Sequence, residues 1–375
     1  MRALTLALIF HFTLNPIVYY RGRMALKANR KALGVWTIIF ITELLLYTSV
    51  YYFYQSLPAS LVQFSRVLGT SWMLFLIYTS SLFLIFDIAY LLFKRHLNRP
   101  QMLFKQSRRA GHSLIIVTMI IVIPALSYGR YKFKNPSVNH LELSINKSGN
   151  KHNSLRILVA GDFHLGYTIN DKDAQRMVDM IMEQNADLIL LVGDIIDSSI
   201  EPLLEQNVAS ILSQLKAPLG VYSCPGNHEY RAEAEEKMQF LNDVGITMLR
   251  DSVAMIDSSF YVIGREDWII DDRMSTKDIL TKYNVNTVLP MIMLNHSPYD
   301  LEEDSQAGMD IALYGHTHHG QAFPGNIATD MKFELAYGYK KKRDTHIYVT
   351  TGLGLAGPQH RIGTESEIMI MDVRF

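Results

Sequence analysis

The chain has 375 residues, enough for two or three domains of ordinary size. Its 36 Lys and Arg residues balance 36 Asp and Glu residues, so the formal net charge is zero. Nucleic acid, which binds strongly basic surfaces, is therefore not expected as a partner. The single cysteine, Cys224, excludes an internal disulfide framework and leaves the redox compartment open. Near residue 130 the composition changes from long apolar runs to that of a soluble globular domain.

Four stretches before that point are long and apolar enough to cross a bilayer as helices. They cover residues 3–20, 33–55, 69–93 and 112–128. The first could instead be a cleaved signal peptide, because Arg2 precedes it, but no cleavage site of small residues follows and further spans come directly after. The fourth is the shortest and contains Pro124, which neighbouring membrane helices can accommodate. Residues 1–130 are therefore predicted to form a transmembrane region of about four helices.

The charges of the connecting loops predict an orientation. Two loops are basic and the one between them is not: residues 21–31 carry Arg21, Arg23, Lys27, Arg30 and Lys31, residues 94–111 carry Lys94, Arg95, Arg99, Lys105, Arg108 and Arg109, and the intervening loop carries Arg66. By the positive-inside rule both basic loops face the cytoplasm. The amino terminus and everything after the fourth span are then expected outside it, and the loss of one span would reverse this placement.

Three ionisable residues fall inside the predicted spans, namely His11, Glu43 and Asp87. An ionisable group at membrane depth is a candidate for function. The favoured interpretation is that each pairs with a polar group on a neighbouring helix, such as a Thr or Ser hydroxyl, and holds the helices together. No repeated charged pattern indicates a transport path.

Beyond the spans, apolar strands alternate with helical segments. Residues 131–150 are predicted to be a linker and a first strand, and residues 151–375 an α/β domain. A helical stretch near 171–185 separates the first two of five strand signals, which are "LRILVA", "ADLILLVGD", "LGVYSCPGN", "LPMIMLN" and "MDIALYG". Polar residues follow each strand, where open α/β sheets assemble their ligand sites. The five strands are expected to bring these side chains to one edge.

The residues at these strand ends have the chemistry of metal ligands. They are Asp162, His164, Asp194, Asn227, His296, His316 and His318. Carboxylate, imidazole and amide groups suit divalent ions such as Mn²⁺, Fe²⁺ or Zn²⁺, and no thiolate is among them. The set is too large for one tetrahedral zinc ion, whereas two ions that share a carboxylate would use all of it. Two such ions, roughly 3.5–4 Å apart, can bind both a nucleophilic hydroxide and a phosphoryl oxygen.

The same residues lie in five motifs that resemble a known family. "GDFHLG" (161–166), "GDIID" (193–197), "GNHE" (226–229), "NHSP" (295–298) and "GHTH" (315–318) occur in the order of the calcineurin-like metallophosphoesterase signature. The resemblance covers about residues 137–375, and "GHTHHGQ", "YVTTGLG" and "PQHR" are similar to its membrane-associated bacterial branch. It implies a four-layer α/β/β/α sandwich with a dinuclear metal centre, in a multi-pass protein of a bacterial plasma membrane.

The resemblance also implies a role for each residue. Asp162, His164 and His318 match the ligands of the first metal, Asn227, His296 and His316 match those of the second, and Asp194 matches the bridging carboxylate. His228 matches a histidine that does not bind metal and lies beside the scissile phosphate, where it stabilises charge or protonates the leaving oxygen. The expected cofactors are two divalent ions, with Mn²⁺ as the first choice and Fe²⁺ or Zn²⁺ as alternatives.

Four further residues are weaker candidates. Asp197 and Glu229 resemble residues that orient the ligands through hydrogen bonds, although helix capping or a surface ion pair would also explain them. Arg361 is a candidate contact for a phosphate oxygen pair, but "RIGTESEI" lacks the proline-rich segment that usually follows this arginine in the branch. Gly161 replaces the Ser that often begins the first motif, which leaves the ligands unchanged.

The fourth weak candidate, His319, stands beside the two ligand histidines of its motif. If the segment is extended, alternate side chains share a side, so His316 and His318 point together and His319 points away. His319 occupies a position where the branch commonly has Gly, and is interpreted as a residue at the rim of the site. A role in orienting a ligand or contacting the substrate is the alternative.

These patterns favour a membrane-anchored phosphoesterase in which a metal-bridging hydroxide attacks phosphorus. A bilayer tether raises the effective concentration of a lipid-linked phosphate ester, phosphodiester or pyrophosphate, which is therefore the expected substrate. Hydrolysis of soluble nucleotides or phosphoesters is the alternative within the same class. A membrane receptor or scaffold that only binds phosphate is the alternative outside it, and the presence of His228 argues against it.

Overall fold

A computed structural model describes residues 2–93, 108–147 and 151–375. Two compact units are distinguished: the first comprises Met1–Arg130 with Gly357–Gln359, and the second, globular unit comprises Tyr131–Ala356 and His360–Phe375. Among the described residues, four α-helices precede the first strand, with bounds α1 (Arg2–Leu26), α2 (Arg30–Phe53), α3 (Ala59–Phe93) and α4 (Arg108–Lys134). The basic residues Lys94, Arg95, Arg99 and Lys105 of the second predicted loop lie outside the described residues.

Three of the described helices are long and apolar enough to cross a membrane. These segments are Arg30–Phe53, Ala59–Leu92 and Gly111–Lys134. α1 has 25 residues but is not among these three segments. The helix also continues through Arg21 and Arg23, which the sequence placed in a loop. A fourth span therefore stays a prediction.

The three ionisable residues of the predicted spans are paired between helices. His11 Nδ1 on α1 lies 3.2 Å from Glu43 Oε1 on α2, and both side chains are buried. The His11 ring also stacks on Tyr47, with 4.2 Å between ring centroids. Asp87 on α3 accepts a hydrogen bond from Arg21 on α1. These partners are ionisable groups and not the Thr and Ser hydroxyls suggested by the sequence, and they link α1 to both neighbouring helices.

The described residues of the globular unit form two six-stranded sheets. The strands are β1 (Ser137–Ser144), β2 (Ser154–Ala160), β3 (Leu188–Leu191), β4 (Val221–Ser223), β5 (Thr247–Met248), β6 (Ser252–Ile256), β7 (Phe260–Gly264), β8 (Met291–Leu294), β9 (Ile311–Tyr314), β10 (Gly338–Lys342), β11 (Thr345–Val349) and β12 (Glu367–Arg374). The first sheet has the order β1-β12-β2-β3-β4-β5 and the second β10-β11-β9-β8-β7-β6. All five strands predicted from the sequence are present.

Helices cover the outer face of each sheet. The helices described in this unit are α5 (Asp171–Met182), α6 (Glu201–Glu205), α7 (Val208–Leu212), α8 (Ala234–Asp243), α9 (Thr276–Lys282), α10 (Leu301–Gln306) and α11 (Gly325–Lys332), and α11 has no buried residue. In the first sheet, Leu158 of β2 packs with the core below α5 to α8, whereas its neighbours Ile157 and Val159 pack against the second sheet. In the second sheet, Met293 faces α9 and α10. This alternation confirms the predicted α/β/β/α layers.

The strand ends that carry the polar motifs belong to both sheets. β2, β3 and β4 are parallel neighbours in the first sheet, and β8 and β9 are parallel neighbours in the second. The expectation of one sheet edge was therefore wrong, because the carboxyl ends of two stacked sheets face the same site. Each of the two sheets therefore contributes some of the polar residues that follow the strands.

Candidate metal centre

Loops directly after five strands carry the residues of the site. β2 is followed by Asp162 and His164, β3 by Asp194, β4 by Asn227 and His228, β8 by His296, and β9 by His316 and His318. Most of these side chains are buried or nearly so. The structure thus brings together all seven predicted ligands and the predicted catalytic histidine.

The backbone of the site is held in an unusual conformation. Asp162, His164, Asp194, His316 and His318 all have positive φ angles, between 48° and 71°. This left-handed region costs a residue with a Cβ roughly 1–2 kcal/mol. Such strain persists where the surrounding structure fixes it, and it clusters at functional sites. Here it turns successive side chains toward one point directly after each strand ends.

Two glycines allow the loops to approach the carboxylates closely. A Cβ on Gly226 would lie 2.2 Å from Asp194 Oδ1, and a Cβ on Gly315 would lie 2.6 Å from Asp162 Oδ2. Both distances are far below van der Waals contact, so neither position accepts a side chain. The "GNHE" and "GHTH" motifs therefore begin with glycine for steric reasons.

Asp162, His164 and His318 form the first group of potential ligands. His164 Nε2 and His318 Nε2 are 3.0 Å apart, and each lies within 3.8 Å of Asp162 Oδ1. Burial and the charge of His228 lower the pKa of His164, and burial lowers the pKa of His318 well below its usual value. Two neutral imidazoles and a carboxylate that point at one another are the donor set of a divalent cation.

The second group surrounds His296 and His316. His296 Nε2 lies 3.2 Å from Asp194 Oδ2, and His316 Nδ1 lies 2.8 Å from the Asn227 side-chain oxygen. Burial and the charge of His296 lower the pKa of His316 to about 4. At neutral pH His316 is then unprotonated on one nitrogen, as a metal ligand must be.

Asp194 lies between the two groups. Its Oδ2 atom is 3.7 Å from His164 Nε2 in the first group as well as 3.2 Å from His296 in the second. Burial alone would raise the pKa of Asp194, but attraction to His296 and His228 holds it well below its usual value. The carboxylate is therefore ionised and placed to be shared between two cations.

The hydrogen bonds of His296 show that the site fits a metal. His296 Nδ1 donates to the backbone carbonyl of Val192 at 2.6 Å, so Nε2 is the nitrogen that faces Asp194, 3.2 Å from Oδ2. Burial alone would lower the pKa of His296, but attraction to Asp194 raises it well above its usual value, and a bound cation would replace the Nε2 proton. A histidine whose second nitrogen donates to a carbonyl group is the usual arrangement for a metal ligand.

His228 and Asp197 form a hydrogen-bonded pair beside the ligands. His228 Nδ1 lies 2.7 Å from Asp197 Oδ1, and His228 Nε2 lies 3.9 Å from Asp194 Oδ2. Burial alone would raise the pKa of Asp197, but its contacts with His164 and His228 hold it well below the usual range. Asp197 thus accepts a hydrogen bond from Nδ1–H of His228, and this contact directs Nε2 of His228 into the site.

Glu229 joins two of the ligand loops through backbone hydrogen bonds. Its carboxylate accepts from the N–H groups of Asp194 (2.9 Å), Ile196 (3.0 Å) and Gly226 (2.7 Å). The side chain is fully buried. Glu229 therefore positions the loop of the bridging carboxylate, as the sequence suggested, and neither of the sequence's simpler explanations applies.

Arg361 does not have the geometry of a phosphate contact. Its guanidinium is fully buried and donates to the backbone oxygens of His318 (2.9 Å), Thr351 (2.6 Å), Gly352 (2.9 Å) and Gly354 (2.8 Å). The planar donors that suit a phosphate also suit several converging carbonyl groups. The sequence-based expectation is corrected: Arg361 holds the backbone beneath His318.

The histidine segment is not extended, which corrects the argument made from the sequence. His318 begins a 3-10 turn, and His316, His318 and His319 all have positive φ. His319 nevertheless points away from the ligands: its Nε2 lies 3.2 Å from Asp330 Oδ1, and its ring stacks on Tyr337 at 5.3 Å between centroids. The separation of His319 stays as predicted, but the turn causes it, not strand alternation.

Lys237 was not predicted from the sequence. This fully buried lysine of α8 donates to the carbonyl oxygens of His228 (2.7 Å) and Ser198 (3.0 Å). It thereby fixes the backbone on both sides of the His228–Asp197 pair. In the sequence it is one charged residue in a charged helix, "AEEKMQF", and nothing distinguishes it from its exposed neighbours.

Carboxylate, imidazole and amide groups around two adjacent positions, with an oriented histidine beside them, define the site of a metal-dependent hydrolase. The model of the calcineurin-like phosphoesterase family matches residues 155–320. The chain is 33% identical over 297 residues to a transmembrane protein with metallophosphoesterase domain of Danio rerio. The alignment covers 72% of this chain and 67% of the relative. The chain belongs to the calcineurin-like phosphoesterase family and is a hydrolase of phosphoester bonds, as the motifs indicated.

Further similarity extends to bacteria and to solved structures. An uncharacterized metallophosphoesterase of Campylobacter jejuni is 28% identical over 272 residues, which is 70% of this chain and 69% of the relative. The crystal structure of a 5'-nucleotidase precursor from Thermus thermophilus matches this chain with 13% sequence identity and a TM-score of 0.37. The match covers 58% of this chain and 55% of the nucleotidase chain.

Proposed function

We propose that this protein is a membrane-anchored, metal-dependent phosphoesterase that hydrolyses a lipid-linked phosphate ester, phosphodiester or pyrophosphate. The observation that carries the proposal is the position of His228, whose Nε2 lies 3.9 Å from the shared carboxylate Asp194 while Nδ1 is bound to Asp197. A site that only bound phosphate would not need a histidine oriented in this way.

The ligand groups fit two divalent cations. Asp162, His164 and His318 would hold one, and Asn227, His296 and His316 the other, with Asp194 shared between them. When bound, the cations would activate a water molecule at neutral pH and neutralise charge on the phosphoryl oxygens. The mixture of oxygen and nitrogen donors without a thiolate supports Mn²⁺ first, with Fe²⁺ or Zn²⁺ as alternatives.

His228 supplies the proton for the leaving group. Its Nε2–H donates to the ester oxygen as the bond from that oxygen to phosphorus breaks, so the leaving group departs as an alcohol or a phosphate. The Asp197 carboxylate stabilises the positive charge that His228 carries before this transfer. Lys237 and Glu229 hold the backbone of the loops and thus the direction of both side chains.

The lipid-linked substrate is supported by the apolar helices of the same chain. Three described helices are long and apolar enough to span a membrane, and the relative in Danio rerio is described as a transmembrane protein. A bilayer tether raises the effective concentration of phosphates at that surface and contributes nothing toward soluble esters.

The charges of the loops support an extracytoplasmic catalytic domain if α1 is a fourth span. Lys27, Arg30 and Lys31 lie at the connection between α1 and α2, where a cytoplasmic location is expected. A reporter fused after Phe375 and assayed on both sides of the membrane tests this placement. Reporter activity in the cytoplasm would refute it and indicate an odd number of spans.

The reaction itself can be tested with the full chain in phosphatidylcholine nanodiscs. Supplied with Mn²⁺, it is expected to hydrolyse bis-p-nitrophenyl phosphate and at least one lipid phosphate. Asp194→Asn and His228→Ala should remove this activity, while Asp330→Asn, at an exposed carboxylate outside the ligand set, should retain it. Saturable phosphate binding without turnover of any ester would favour a receptor.

A further inference from the structure

A further strand, β7, ends beside the metal centre, although the sequence did not indicate it. β7 is a parallel neighbour of β8, with Gly264 opposite Leu294. The backbone N–H of Arg265 donates to the Leu294 carbonyl at 3.0 Å, which continues this alignment past the ends of both strands. The residues after β7 therefore run alongside those after β8. This alignment places Asp267 beside Ser297.

The Asp267 carboxylate binds the residue that follows the predicted ligand His296. The Ser297 hydroxyl donates to Asp267 Oδ2 at 2.7 Å, and the backbone N–H of Ile269 donates to Oδ1 at 3.1 Å. Asp267 and Ser297 are 0% and 1% exposed, so solvent has little access to this contact. Because Ser297 is covalently joined to His296, the contact fixes the backbone from which the His296 ring extends.

The two residues before Asp267 are held by other parts of the globular unit. Arg265 is buried, and its Nη1 lies 3.0 Å from Glu303 Oε2. The carboxylate of Glu266 pairs with Arg250, whose Nε lies 2.8 Å from Oε1. Both side chains restrict the loop after β7. Asp267 is therefore a fixed point against which the neighbouring loop is positioned.

The buried charge of Asp267 has no ion-pair partner in the part of the chain that the structure describes. Arg273, whose positive charge interacts with that of Asp267 over a longer distance, forms its ion pair with Asp300 instead. A buried carboxylate is costly unless hydrogen bonds and positive charge compensate it. Two hydrogen bonds compensate part of this cost, and a divalent cation held by His296 and Asp194 would supply positive charge nearby. The carboxylate is therefore suited to strengthen cation binding at the second group of ligands.

We propose that Asp267 is a positioning residue for the second group of ligands. Through Ser297 it fixes the backbone of His296, and its negative charge adds to the affinity of that group for a divalent cation. This inference rests on the proposed function, because it presupposes the two-cation centre, and it adds a residue that none of the five motifs contains. The first group of ligands follows β2 and β9, so binding of its cation should depend little on Asp267.

A purely structural role for Asp267 is the competing explanation. Its contact with the Ile269 N–H is of the kind that stabilises turns, and loss of a turn would weaken folding without preference for either cation. Asp310 provides the comparison at the opposite end of β8, where its carboxylate accepts from the Met291 N–H at 2.8 Å and pairs with Lys147 at 2.7 Å. Asp310→Asn should therefore destabilise the same strand and leave both cations bound as in the native chain.

Mn²⁺ binding to the full chain in phosphatidylcholine nanodiscs measures the effect. The metal-free chain is titrated with Mn²⁺, and the bound ion is followed by electron paramagnetic resonance with empty nanodiscs as the blank. The native chain should bind two equivalents and show the spin-coupled signal of neighbouring ions. Asp267→Asn should bind the first equivalent like the native chain and the second about 10- to 100-fold more weakly, so the signal of uncoupled single ions should persist.

Ser297→Ala removes the hydroxyl link and retains the charge of Asp267. Its second equivalent of Mn²⁺ should bind more weakly than in the native chain, by a smaller factor than in Asp267→Asn. Native affinity for the second equivalent in Ser297→Ala would overturn the proposal, and this variant decides the matter if Asp267→Asn does not fold. Equal losses in Asp267→Asn and Asp310→Asn would also overturn it, because they would assign the effect to β8 as a whole.

Turnover of bis-p-nitrophenyl phosphate separates this inference from the proposed function. Turnover by the native chain together with unchanged Mn²⁺ binding in Asp267→Asn would refute only the role of Asp267. Selective loss of the second equivalent in Asp267→Asn, when the native chain turns over no ester, would refute the proposed function and retain that role. A native chain that binds fewer than two equivalents would refute both.

Discussion

The Nδ1 atom of His228 lies 2.7 Å from Asp197 Oδ1 and 3.0 Å from the Asp197 carbonyl oxygen. One residue thus offers two acceptors to the same nitrogen, so the proton resides on Nδ1 and the ring cannot turn without losing both contacts. Nε2 is left directed at the ligand cluster. The contacts with Asp197 therefore orient His228 so that its Nε2 can donate a proton within the site.

Asp197→Asn is expected to lower the turnover of bis-p-nitrophenyl phosphate by about 10- to 100-fold and to lower metal content by less, because its carboxylate also lies 3.5 Å from Nδ1 of the ligand His164. The amide retains the volume but can turn its N–H₂ toward His228 Nδ1, and it cannot stabilise the positively charged ring. Steady-state kinetics and elemental analysis of the purified chain provide the two measurements. Asp330→Asn, whose carboxylate contacts His319, is the matched control, and equal activity of both variants would argue against the pair.

Glu229→Gln should destabilise the globular unit by about 1–3 kcal/mol, because a buried carboxylate that accepts three N–H groups is replaced by a group with a single acceptor oxygen. A fall in thermal melting temperature with reduced Mn²⁺ affinity is the expected result. Glu235→Gln, at a largely exposed carboxylate, should melt like the native chain. A native melting temperature for Glu229→Gln would show that these three contacts contribute little.

The ligand residues were predictable because their position depends on local sequence. Asp162, Asp194 and His296 directly follow buried strands, so the apolar runs and their polar ends indicated where the side chains would meet. Division of the strands between two sheets followed only from the family resemblance, since apolar runs do not specify which strands pair. The apolar runs and their polar ends thus located the site in the sequence. The two-sheet arrangement around it depends on which distant strands pair.

The structural roles of Arg361 and Lys237, which are buried cations, were not predictable in the same way. Arg361 and Lys237 are long cations whose donors reach carbonyl groups made available by distant loops, and a sequence does not show which carbonyls lack partners. The helical Arg21 was placed in a loop for a related reason. Its charge is compensated by Asp87, 66 positions away, so composition alone suggested that the helix had ended.

Removal of the metal should lower the melting temperature of the globular unit. Without cations, Asp162 and Asp194 are close, buried carboxylates, and burial together with Asp194 contributes to raising the pKa of Asp162 to about 7. Mn²⁺ at about 100 times its Kd should restore roughly 2.7 kcal/mol per site. Differential scanning fluorimetry with and without a chelator measures the shift. The Asp194→Asn variant should show a much smaller Mn²⁺ effect, and an equal effect would place the bound metal elsewhere.

Arg361→Lys should reduce stability without weakening phosphate binding. Lysine retains the charge but cannot reach the backbone oxygens of Thr351, Gly352 and Gly354 together with that of His318, and a loss of about 2–4 kcal/mol is expected from the unpaired carbonyl groups. Inhibition by inorganic phosphate should be unchanged in the fraction that folds. If Arg361→Lys melted at the native temperature but was inhibited tenfold more weakly by phosphate, Arg361 would be a phosphate contact, as the sequence first suggested.

His318→Ala and His319→Ala should differ sharply although the residues are adjacent. His318 Nε2 lies 3.0 Å from His164 Nε2 inside the cluster, so its loss should remove about one metal equivalent and the hydrolysis of bis-p-nitrophenyl phosphate. His319 faces Asp330 and Tyr337 instead, because the 3-10 turn at His318 directs the next side chain outward. Metal content and turnover should therefore be unchanged in His319→Ala. Loss of metal from both variants would mean that the turn rearranges when the cations bind, and His319 would then belong to the ligand set.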